Sequence, residues 1–353
     1  LQLSYDGALT SRLYIEELTM ADMDFSGLFE WDYENALYQV SIRGDRFNAV
    51  PLMDIILGPT EEGEEADLPD FNLAGSMDNV AMYNDAILHE ASVLAGYLDN
   101  EVIDFGYMAK MGEDKNLSII IASAEDLSAP QRLTLTTNDA GQSLRALDFF
   151  TSGDQGDLFI DAQMTKMEKG YSLMGIIRAE KFTVANSTAF SELLKEKEFA
   201  KAQEELEENG LSFETFESDF EQYDDVLKFM AGSAKGPTIG VTLDGYVDQK
   251  FDEVSLDGTI IPAYGLNSLL SNIPLIGTII AGGKGEGVFA ATYSMTGTVD
   301  DPVVSINPLM ALAPGILRKI FGAIGDAGGD APTAREEAEQ TEEQAAVVPP
   351  PIK

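Results

Sequence analysis

Hydrophobic and polar residues alternate along much of the first half of the chain. The segments with this two-residue period include 1–5, 36–42, 116–122 and 131–137. Such alternation is typical of β-strands that bury one face. Turn signals such as Thr151-Ser152-Gly153-Asp154 separate the strands, and long helical patterns do not come between them. The pattern therefore predicts an antiparallel meander rather than the alternating strands and helices of a parallel sheet.

Helical periodicity is confined to a few segments. Short helices are predicted over 50–57 and 143–150, and one longer helix over 188–209, ending at Gly210. The longer helix has a partial apolar stripe formed by Phe190, Leu193, Leu194, Phe199 and Leu206. We expect this helix to lie over a face of the sheet or over an open end.

The 353 residues are predicted to be mainly β, with one elongated, twisted antiparallel sheet that forms an open groove. We expect a β-rich groove segment over 1–187, a helical insertion over 188–210 and a C-terminal β region over 211–323. The last 30 residues, 324–353, consist mostly of Gly, Ala, Glu, Gln and Pro without apolar periodicity. This composition predicts a disordered acidic tail.

Charge and composition exclude several functions. The chain has 61 acidic and 22 basic side chains, a net charge of −39, one histidine and no cysteine. A surface this acidic repels nucleic-acid phosphates, so no nucleic-acid partner is expected. Zinc sites built from Cys and His, and thiol chemistry, are excluded. His89 is interpreted as an ordinary surface or packing residue, and the Gly-rich segment 282–287 lacks the spacing of a phosphate-binding loop. We expect no catalytic residue, metal or cofactor, and predict that the chain is not an enzyme.

Two strands near the C-terminus illustrate the apolar face. Alternation puts Ile239, Val241 and Leu243 on one face of the first strand. In the second strand, Phe289, Ala291, Tyr293 and Met295 share a face. A sheet with one apolar face and no helix layer must bury that face against itself, a partner or lipid. Alternation alone also fits the closed core of a β-sandwich.

Residues 236–323 contain a series of short motifs. These are G-T-I-I-P-A-Y-G-L-N-S-L-L from Gly258, F-A-A-T-Y from Phe289, D-D-P from Asp300 and N-P-L-M-A-L-A-P-G from Asn307. In these motifs the chain resembles the C-terminal region of the AsmA-like envelope proteins, nearest the YhdP type and more distantly TamB.

The resemblance implies a gutter-shaped sheet with an apolar concave face, along which phospholipid acyl chains slide between the inner and outer membranes of Gram-negative envelopes. The implied partners are phospholipid acyl chains, both membrane surfaces and other envelope proteins. The implied location is the periplasm, with an inner-membrane anchor N-terminal to Leu1. Taken with the alternation, the resemblance predicts lipid contact for Ile239, Val241, Leu243, Val254, Leu256, Ile260, Phe289, Ala291, Tyr293 and Met295.

Two other functions are compatible with the sequence. The first is an envelope scaffold or outer-membrane assembly factor that does not transport lipid. The second is a secreted acidic β-sandwich that binds calcium or glycan. Co-purifying phospholipid would favour the transport function over both.

A short amphipathic helix is predicted from Pro314 to Ile324. The residues expected to contact a membrane are Ile316, Leu317, Arg318, Lys319, Ile320, Phe321 and Ile324. A helix of this length cannot span a bilayer but can lie in its interface. The alternative is that the helix covers the open edge of the sheet.

Overall fold

The structure is a computed structural model of the chain. It describes residues 2–5, 10–57, 69–122, 130–167, 170–262, 290–299 and 301–309. Strands dominate these ranges and the helices are short, so the predicted mainly β fold is confirmed. The described residues form two compact units. One comprises residues up to 151 together with 157–173, and the other comprises 152–156 and 174–309.

The strands follow one another in chain order with few interruptions. They are β1 (Gln2–Tyr5), β2 (Thr10–Met20), β3 (Met23–Asp32), β4 (Leu37–Asn48), β5 (Phe71–Ala81), β6 (Ile87–Leu98), β7 (Glu101–Gly112), β8 (Lys115–Ala122), β9 (Gln131–Thr137), β10 (Gly153–Asp154), β11 (Asp157–Lys166), β12 (Tyr171–Val184), β13 (Leu211–Tyr223), β14 (Val226–Lys235), β15 (Ile239–Asp248), β16 (Glu253–Pro262), β17 (Ala290–Gly297) and β18 (Pro302–Leu309). The α-helices are α1 (Val50–Leu57), α2 (Ala140–Ala146), α3 (Thr188–Leu193) and α4 (Ala200–Glu208). Helix α1 matches the predicted range.

In the first unit, strands β1 to β9 each pair with the next, and β9 pairs with β11. These pairs are antiparallel except β4 and β5, which are parallel with Tyr38 opposite Phe71. Parallel neighbours need a crossover of about a dozen residues or more. Residues 49–70 separate β4 from β5 in the sequence, which is length enough for such a crossover, and α1 lies at their start. The prediction of an entirely antiparallel meander is therefore wrong at this pair.

Helix α2 begins earlier than the predicted 143–150. The Asp139 side chain accepts a hydrogen bond from the Gln142 backbone N–H at 3.0 Å and thereby caps the first turn. The same carboxylate contacts the Lys115 ammonium. After Ala146 the chain leaves the helix, and Asp148 takes a positive φ of 59°. The Asp139 N-cap thus fixes the start of the helix at Ala140, before the predicted start at 143.

The second unit contains the antiparallel meander β13 to β18, in which each strand pairs with the next. Strand β10 pairs with β12. Strand β12 contacts β13 through a stacked pair of rings, Phe182 and Phe213, with centroids 5.1 Å apart. An ion pair of 3.7 Å between Arg178 and Glu217 joins the same two strands.

The predicted single helix over 188–209 is broken in the structure. Helix α3 ends at Leu193, Glu196 is extended, and a 3-10 turn at Lys197–Phe199 leads into α4. An unbroken helix would place Leu193 and Phe199 about 120° apart around its axis. Because of the break, both side chains reach the same hydrophobic core. We call residues 188–208 the helical segment.

Candidate functional site

The strand register of the second unit confirms the predicted apolar face. Val241 lies opposite Ile260, and Ile260 in turn lies opposite Ala291. Side chains at alternate positions of paired strands therefore share one side of the sheet. We call this side the inner face; its residues include Phe216, Ala234, Ile239, Val241, Leu243, Val254, Leu256, Ile260, Ala291, Tyr293, Met295, Val304 and Ile306.

The sheet of the second unit curls around the helical segment. The Phe190 ring of α3 packs on Phe213 of β13, with centroids 5.8 Å apart, and α3 also packs against β18. In a flat sheet, β13 and β18 would be about 24 Å apart, at about 4.8 Å per strand. Helix α3 has six residues and is about 9 Å long. A helix this short can contact both strands only if the inner face is concave.

The helical segment covers one half of the inner face. Its buried side chains are Leu193, Leu194, Phe199, Ala202 and Leu206. They form one hydrophobic core with Ile239, Val241, Ile260 and Ala291 of the sheet. Ile239, Ile260 and Ala291 are completely inaccessible to solvent. We call these four sheet residues the covered half; they are four of the ten residues predicted to contact lipid.

The other half of the inner face is only partly buried. Leu243, Leu256, Met295, Val304 and Ile306 are all intermediate in exposure, and the last three pack against the edge of the core that contains the helical segment. We call these five residues the open half. Three of them, Leu243, Leu256 and Met295, belong to the predicted lipid-contact set, and none of the five is charged. Of the other residues predicted to contact lipid, Val254 is buried at the start of β16, and Phe289 lies outside the described residues.

Tyr293 lies at the boundary between the two halves. A Cβ atom added at Gly258 would be 2.7 Å from the Tyr293 ring, so the ring lies directly over this glycine. The phenol hydroxyl donates a hydrogen bond to the Thr242 carbonyl oxygen at 2.7 Å. Burial raises the pKa of Tyr293 well above its usual range, and the Asp244 and Asp257 carboxylates raise it further. The hydroxyl therefore remains a neutral donor at physiological pH.

A carboxylate fixes the helical segment to the sheet. Glu205 of α4 accepts hydrogen bonds from the Ser212 backbone N–H at 3.0 Å and from the Thr238 hydroxyl at 2.6 Å. These partners lie at the start of β13 and just before β15. Hydrogen bonds to ionised acceptors are stronger than those between neutral groups. This contact has no direct signal in the sequence, because Glu205 is one of many acidic residues in the segment.

The opposite end of the second unit is formed by three hairpin tips, at 223–226, 248–253 and 297–302. Each tip exposes one apolar side chain: Tyr223, Phe251 and Val299, of which Phe251 is 72% exposed. The Gln249 N–H donates to the Asp225 carbonyl oxygen at 2.9 Å, linking the first two tips. The Val299 N–H donates to Asp252 Oδ1 at 3.2 Å, linking the last two. The three tips therefore form one continuous edge.

The first unit also has an apolar row across its sheet. Val93, Tyr107, Ile119, Leu135 and Ile160 lie opposite one another on consecutive strands. The Tyr107 hydroxyl is buried and has no hydrogen-bond partner. Burial raises the pKa of Tyr107 well above its usual range. None of these five residues was among those predicted to contact lipid. The alternation in β8 and β9 is the sequence signal that indicates their shared apolar face.

Groups capable of catalysis are sparse in the described ranges. His89 is exposed, and its Nδ1 lies 2.9 Å from Asn79 Oδ1. It lines a shallow pocket of about 370 Å³ with Glu90, Lys110, Gly112 and Glu113, a set without a hydroxyl or thiol side chain. The described residues contain no cluster of three or more side chains able to hold a metal ion. Within the same ranges, every helix is too short or too polar to cross a membrane.

Several predicted features cannot be located in the fold. The seven residues expected to contact a membrane, between Ile316 and Ile324, lie outside the described residues, as does the acidic tail over 324–353. Of the motifs that carry the AsmA-like resemblance, the described structure includes residues 258–262 in β16, 290–293 in β17, 301–302 at the start of β18 and 307–309 at its end. Comparison with known proteins finds no matching family model, no matching curated protein and no matching solved structure.

Proposed function

We propose that the chain is a non-enzymatic segment of a Gram-negative envelope bridge, which transfers phospholipid between the inner and outer membranes along an apolar β groove. The envelope setting rests on the resemblance of residues 236–323 to AsmA-like proteins. The observation that supports lipid binding is the open half of the inner face, which is concave, uncharged and partly exposed. A contiguous apolar surface that is partly exposed is a candidate site for binding an apolar partner.

An acyl chain suits this surface for physical reasons. Burying a methylene group contributes about 0.8 kcal/mol, and this contribution does not depend on direction. Leu243, Leu256 and Met295 offer such contacts without a charged group that would fix the ligand at one position. A chain held only by apolar contacts can shift along the groove without breaking hydrogen bonds. Transfer then requires partition alone, and no covalent bond has to change.

Site-specific photocrosslinking tests this proposal. A photoreactive residue at Leu256 or Met295 should form adducts with phospholipid, because both side chains lie on the open half. Val303 is the matched control, since it lies on the opposite side of β18 and is 67% exposed. Adducts at Val303 as strong as those at Leu256 would contradict the proposal. Absence of adducts at both Leu256 and Met295 would do the same.

A non-transporting scaffold or assembly factor is the second candidate function. The covered half favours it, because Ile239, Ile260 and Ala291 form a closed core that leaves no room for lipid. The two functions differ in what the purified chain should carry. Phospholipid extracted in stoichiometric amount supports transport, whereas a lipid-free protein supports the scaffold.

A further inference from the structure

We propose that a row of aromatic side chains on the first unit binds the ammonium headgroup of a zwitterionic phospholipid, so that the chain favours phosphatidylethanolamine over anionic phospholipids. This inference rests on the proposed lipid binding and adds a second contact surface and the class of headgroup. The alternative for the same side chains is that they only hold neighbouring strands together.

Four aromatic side chains lie next to one another on strands β3 to β6. Trp31 lies opposite Tyr38, which in turn lies opposite Phe71. Phe71 lies opposite Tyr97 on β6. The rings of the first pair have centroids 4.5 Å apart, and those of the last pair are stacked with centroids 5.4 Å apart. We call these four residues the aromatic row, which is about 14 Å long at about 4.8 Å per strand.

A second row on the same face is apolar and runs parallel to the aromatic row. Two positions along each strand from the aromatic row lie Phe29, Val40, Leu73 and Ala95, and the second row continues through Phe105 and Ile121 to Leu133. We call these residues, one on each strand from β3 to β9, the apolar band. Every one of them is intermediate in exposure. The band therefore extends across about 29 Å of partly exposed sheet, at about 4.8 Å per strand.

The apolar band is long enough for an acyl chain. The hydrocarbon of one bilayer leaflet is about 15 Å thick, half of the whole core, so an acyl chain that lies across the strands covers about half of the band. On the side away from the aromatic row the same face is closed, because Met77 of β5 and its partner Ala91 of β6 are buried. The headgroup of a lipid on the band therefore lies beside the aromatic row.

The aromatic row can bind a cation. The faces of aromatic rings attract ammonium groups, and tryptophan attracts them most strongly. Tyr38 is 39% exposed, and Tyr33 in the adjoining turn is 49% exposed, with its ring nearly perpendicular to that of Trp31. The first unit already contains one contact of this kind, because the Lys166 ammonium lies 5.0 Å from the centroid of the Tyr171 ring. An ammonium headgroup at Trp31 and Tyr38 would make the same contact.

The charges around the aromatic row favour a cation over an anion. Within three positions of the row in the sequence there is no basic residue, and the acidic residues are Glu30, Asp32, Glu34, Asp70 and Asp99. The nearby basic residue Arg12 lies opposite Glu30 and forms an ion pair with it. The phosphate of a zwitterionic headgroup compensates its ammonium group. The net charge of −39 therefore does not repel such a lipid as it repels phosphatidylglycerol.

The fluorescence of Trp31, the single tryptophan of the chain, tests the proposal directly. The full chain is titrated with phosphatidylethanolamine or phosphatidylglycerol in neutral detergent micelles. The acyl chains of both lipids carry bromine, which quenches an indole ring that it contacts. We expect half-maximal quenching at a phosphatidylethanolamine concentration at least fivefold below that of phosphatidylglycerol.

The outcomes of this titration separate the inference from the proposed function. Equal quenching by both lipids would overturn the headgroup preference but support lipid binding. Absence of quenching by either lipid would overturn binding at the first unit. The proposed function itself would be overturned only if Leu256 and Met295 also formed no adducts.

Variants at Tyr38 separate recognition by the ring from the effect of net charge. Tyr38→Leu keeps an apolar side chain and the net charge but removes the ring, so it should weaken binding of phosphatidylethanolamine about threefold and leave that of phosphatidylglycerol unchanged. Tyr38→Phe keeps the ring and should retain the preference. Tyr223→Leu is the matched control, because this tyrosine is similarly exposed, at 44%, but belongs to the second unit. A preference that persists in Tyr38→Leu would show that net charge alone selects the lipid and would overturn the proposal.

Discussion

Two tyrosines with buried hydroxyls differ in one contact. Tyr293 donates to the Thr242 carbonyl oxygen, whereas the Tyr107 hydroxyl has no partner. A satisfied hydrogen bond contributes about 1 kcal/mol to stability, and a buried unsatisfied group costs a similar amount or more. The same change of Tyr to Phe should therefore have opposite effects at the two positions.

We expect Tyr293→Phe to lower the free energy of unfolding by about 1 kcal/mol, and Tyr107→Phe to raise it by about 1 kcal/mol. Urea denaturation followed by far-UV circular dichroism measures both. Because the two variants lose the same atom, differences in side-chain volume cannot explain a difference in sign. Destabilisation by both changes would show that the Tyr107 hydroxyl has a partner after all.

The same tyrosines predict how stability depends on alkaline pH. Burial raises the pKa of both groups above their ordinary value of about 10. Above this pH the unfolded chain loses the phenolic proton while the folded chain keeps it, so stability falls as pH rises. The contribution is fully present below pH 10 and is lost as pH rises toward the folded pKa. We expect the double variant Tyr107→Phe, Tyr293→Phe to show a shallower fall in stability above about pH 10, the ordinary tyrosine pKa, in urea titrations. An unchanged slope would contradict the assignment.

Gly258 is a position at which only the absence of a side chain allows the packing. A Cβ atom there would overlap the Thr242 carbonyl oxygen and lie 2.7 Å from the Tyr293 ring. We expect Gly258→Ala to destabilise the second unit by about 2 kcal/mol, because overpacking of a filled site costs about 1–3 kcal/mol. Gly106→Ala, in β7 of the first unit, is the matched control, because a Cβ atom at Gly106 would have no neighbour within 4 Å. In thermal unfolding experiments, the free energy of unfolding of this control should lie within about 0.5 kcal/mol of that of the parent protein.

At the scale of elements, Glu205 joins a helix to two strands. We expect Glu205→Ala to destabilise the protein by about 2 kcal/mol, because hydrogen bonds to charged groups contribute about 1.5–3 kcal/mol. The adjacent exposed residue provides the control, Glu204→Ala, which should change stability by less than about 0.5 kcal/mol. Urea denaturation measures the free energy of unfolding of both variants. Equal effects would mean that the Ser212 and Thr238 contacts do not hold the helical segment in place.

The helical segment also shows how tertiary packing overrides a helical pattern. The sequence from 188 to 209 has the periodicity of one helix, yet the structure divides it at Leu194–Glu196. The gain is that Leu193, Leu194 and Phe199 all enter one core. Burial of three large side chains outweighs the few backbone hydrogen bonds lost at the break.

At the scale of the whole molecule, charge controls which membranes the chain can approach. With a net charge of −39, the chain repels anionic lipid unless a local basic group offsets the field. Arg318 and Lys319, within the predicted amphipathic helix, are such groups. Strand β18 extends to Leu309, so a truncation that spares the sheet belongs after this residue.

We expect the chain truncated after Leu309 to remain folded but to lose flotation with vesicles. In the full chain, the double change Arg318→Glu, Lys319→Glu should weaken binding to anionic vesicles more than to neutral ones, because it adds like charge near the lipid surface. Circular dichroism of the truncated chain controls for folding. Equal flotation of the full and truncated chains would show that the helix does not bind membranes.

The sequence by itself determined the strands and the sides of the sheet on which their residues lie. Successive side chains of a strand point to opposite faces whatever surrounds them. For this reason Ile239, Val241 and Leu243 could be assigned to one face before any contact was known, and the structure agrees. The composition likewise determined that cysteine chemistry is absent and that the surface is acidic.

Only the tertiary structure decided which part of the inner face is available to a ligand. Ile260 and Leu256 lie on the same strand and the same face, yet one is completely buried and the other is partly exposed. The difference depends on where the helical segment folds over the sheet, a contact between residues distant in sequence. The parallel pairing of β4 with β5 and the anchoring by Glu205 are non-local in the same way. Local periodicity reports the geometry of one element, whereas the partner that covers it is selected by packing across the whole unit.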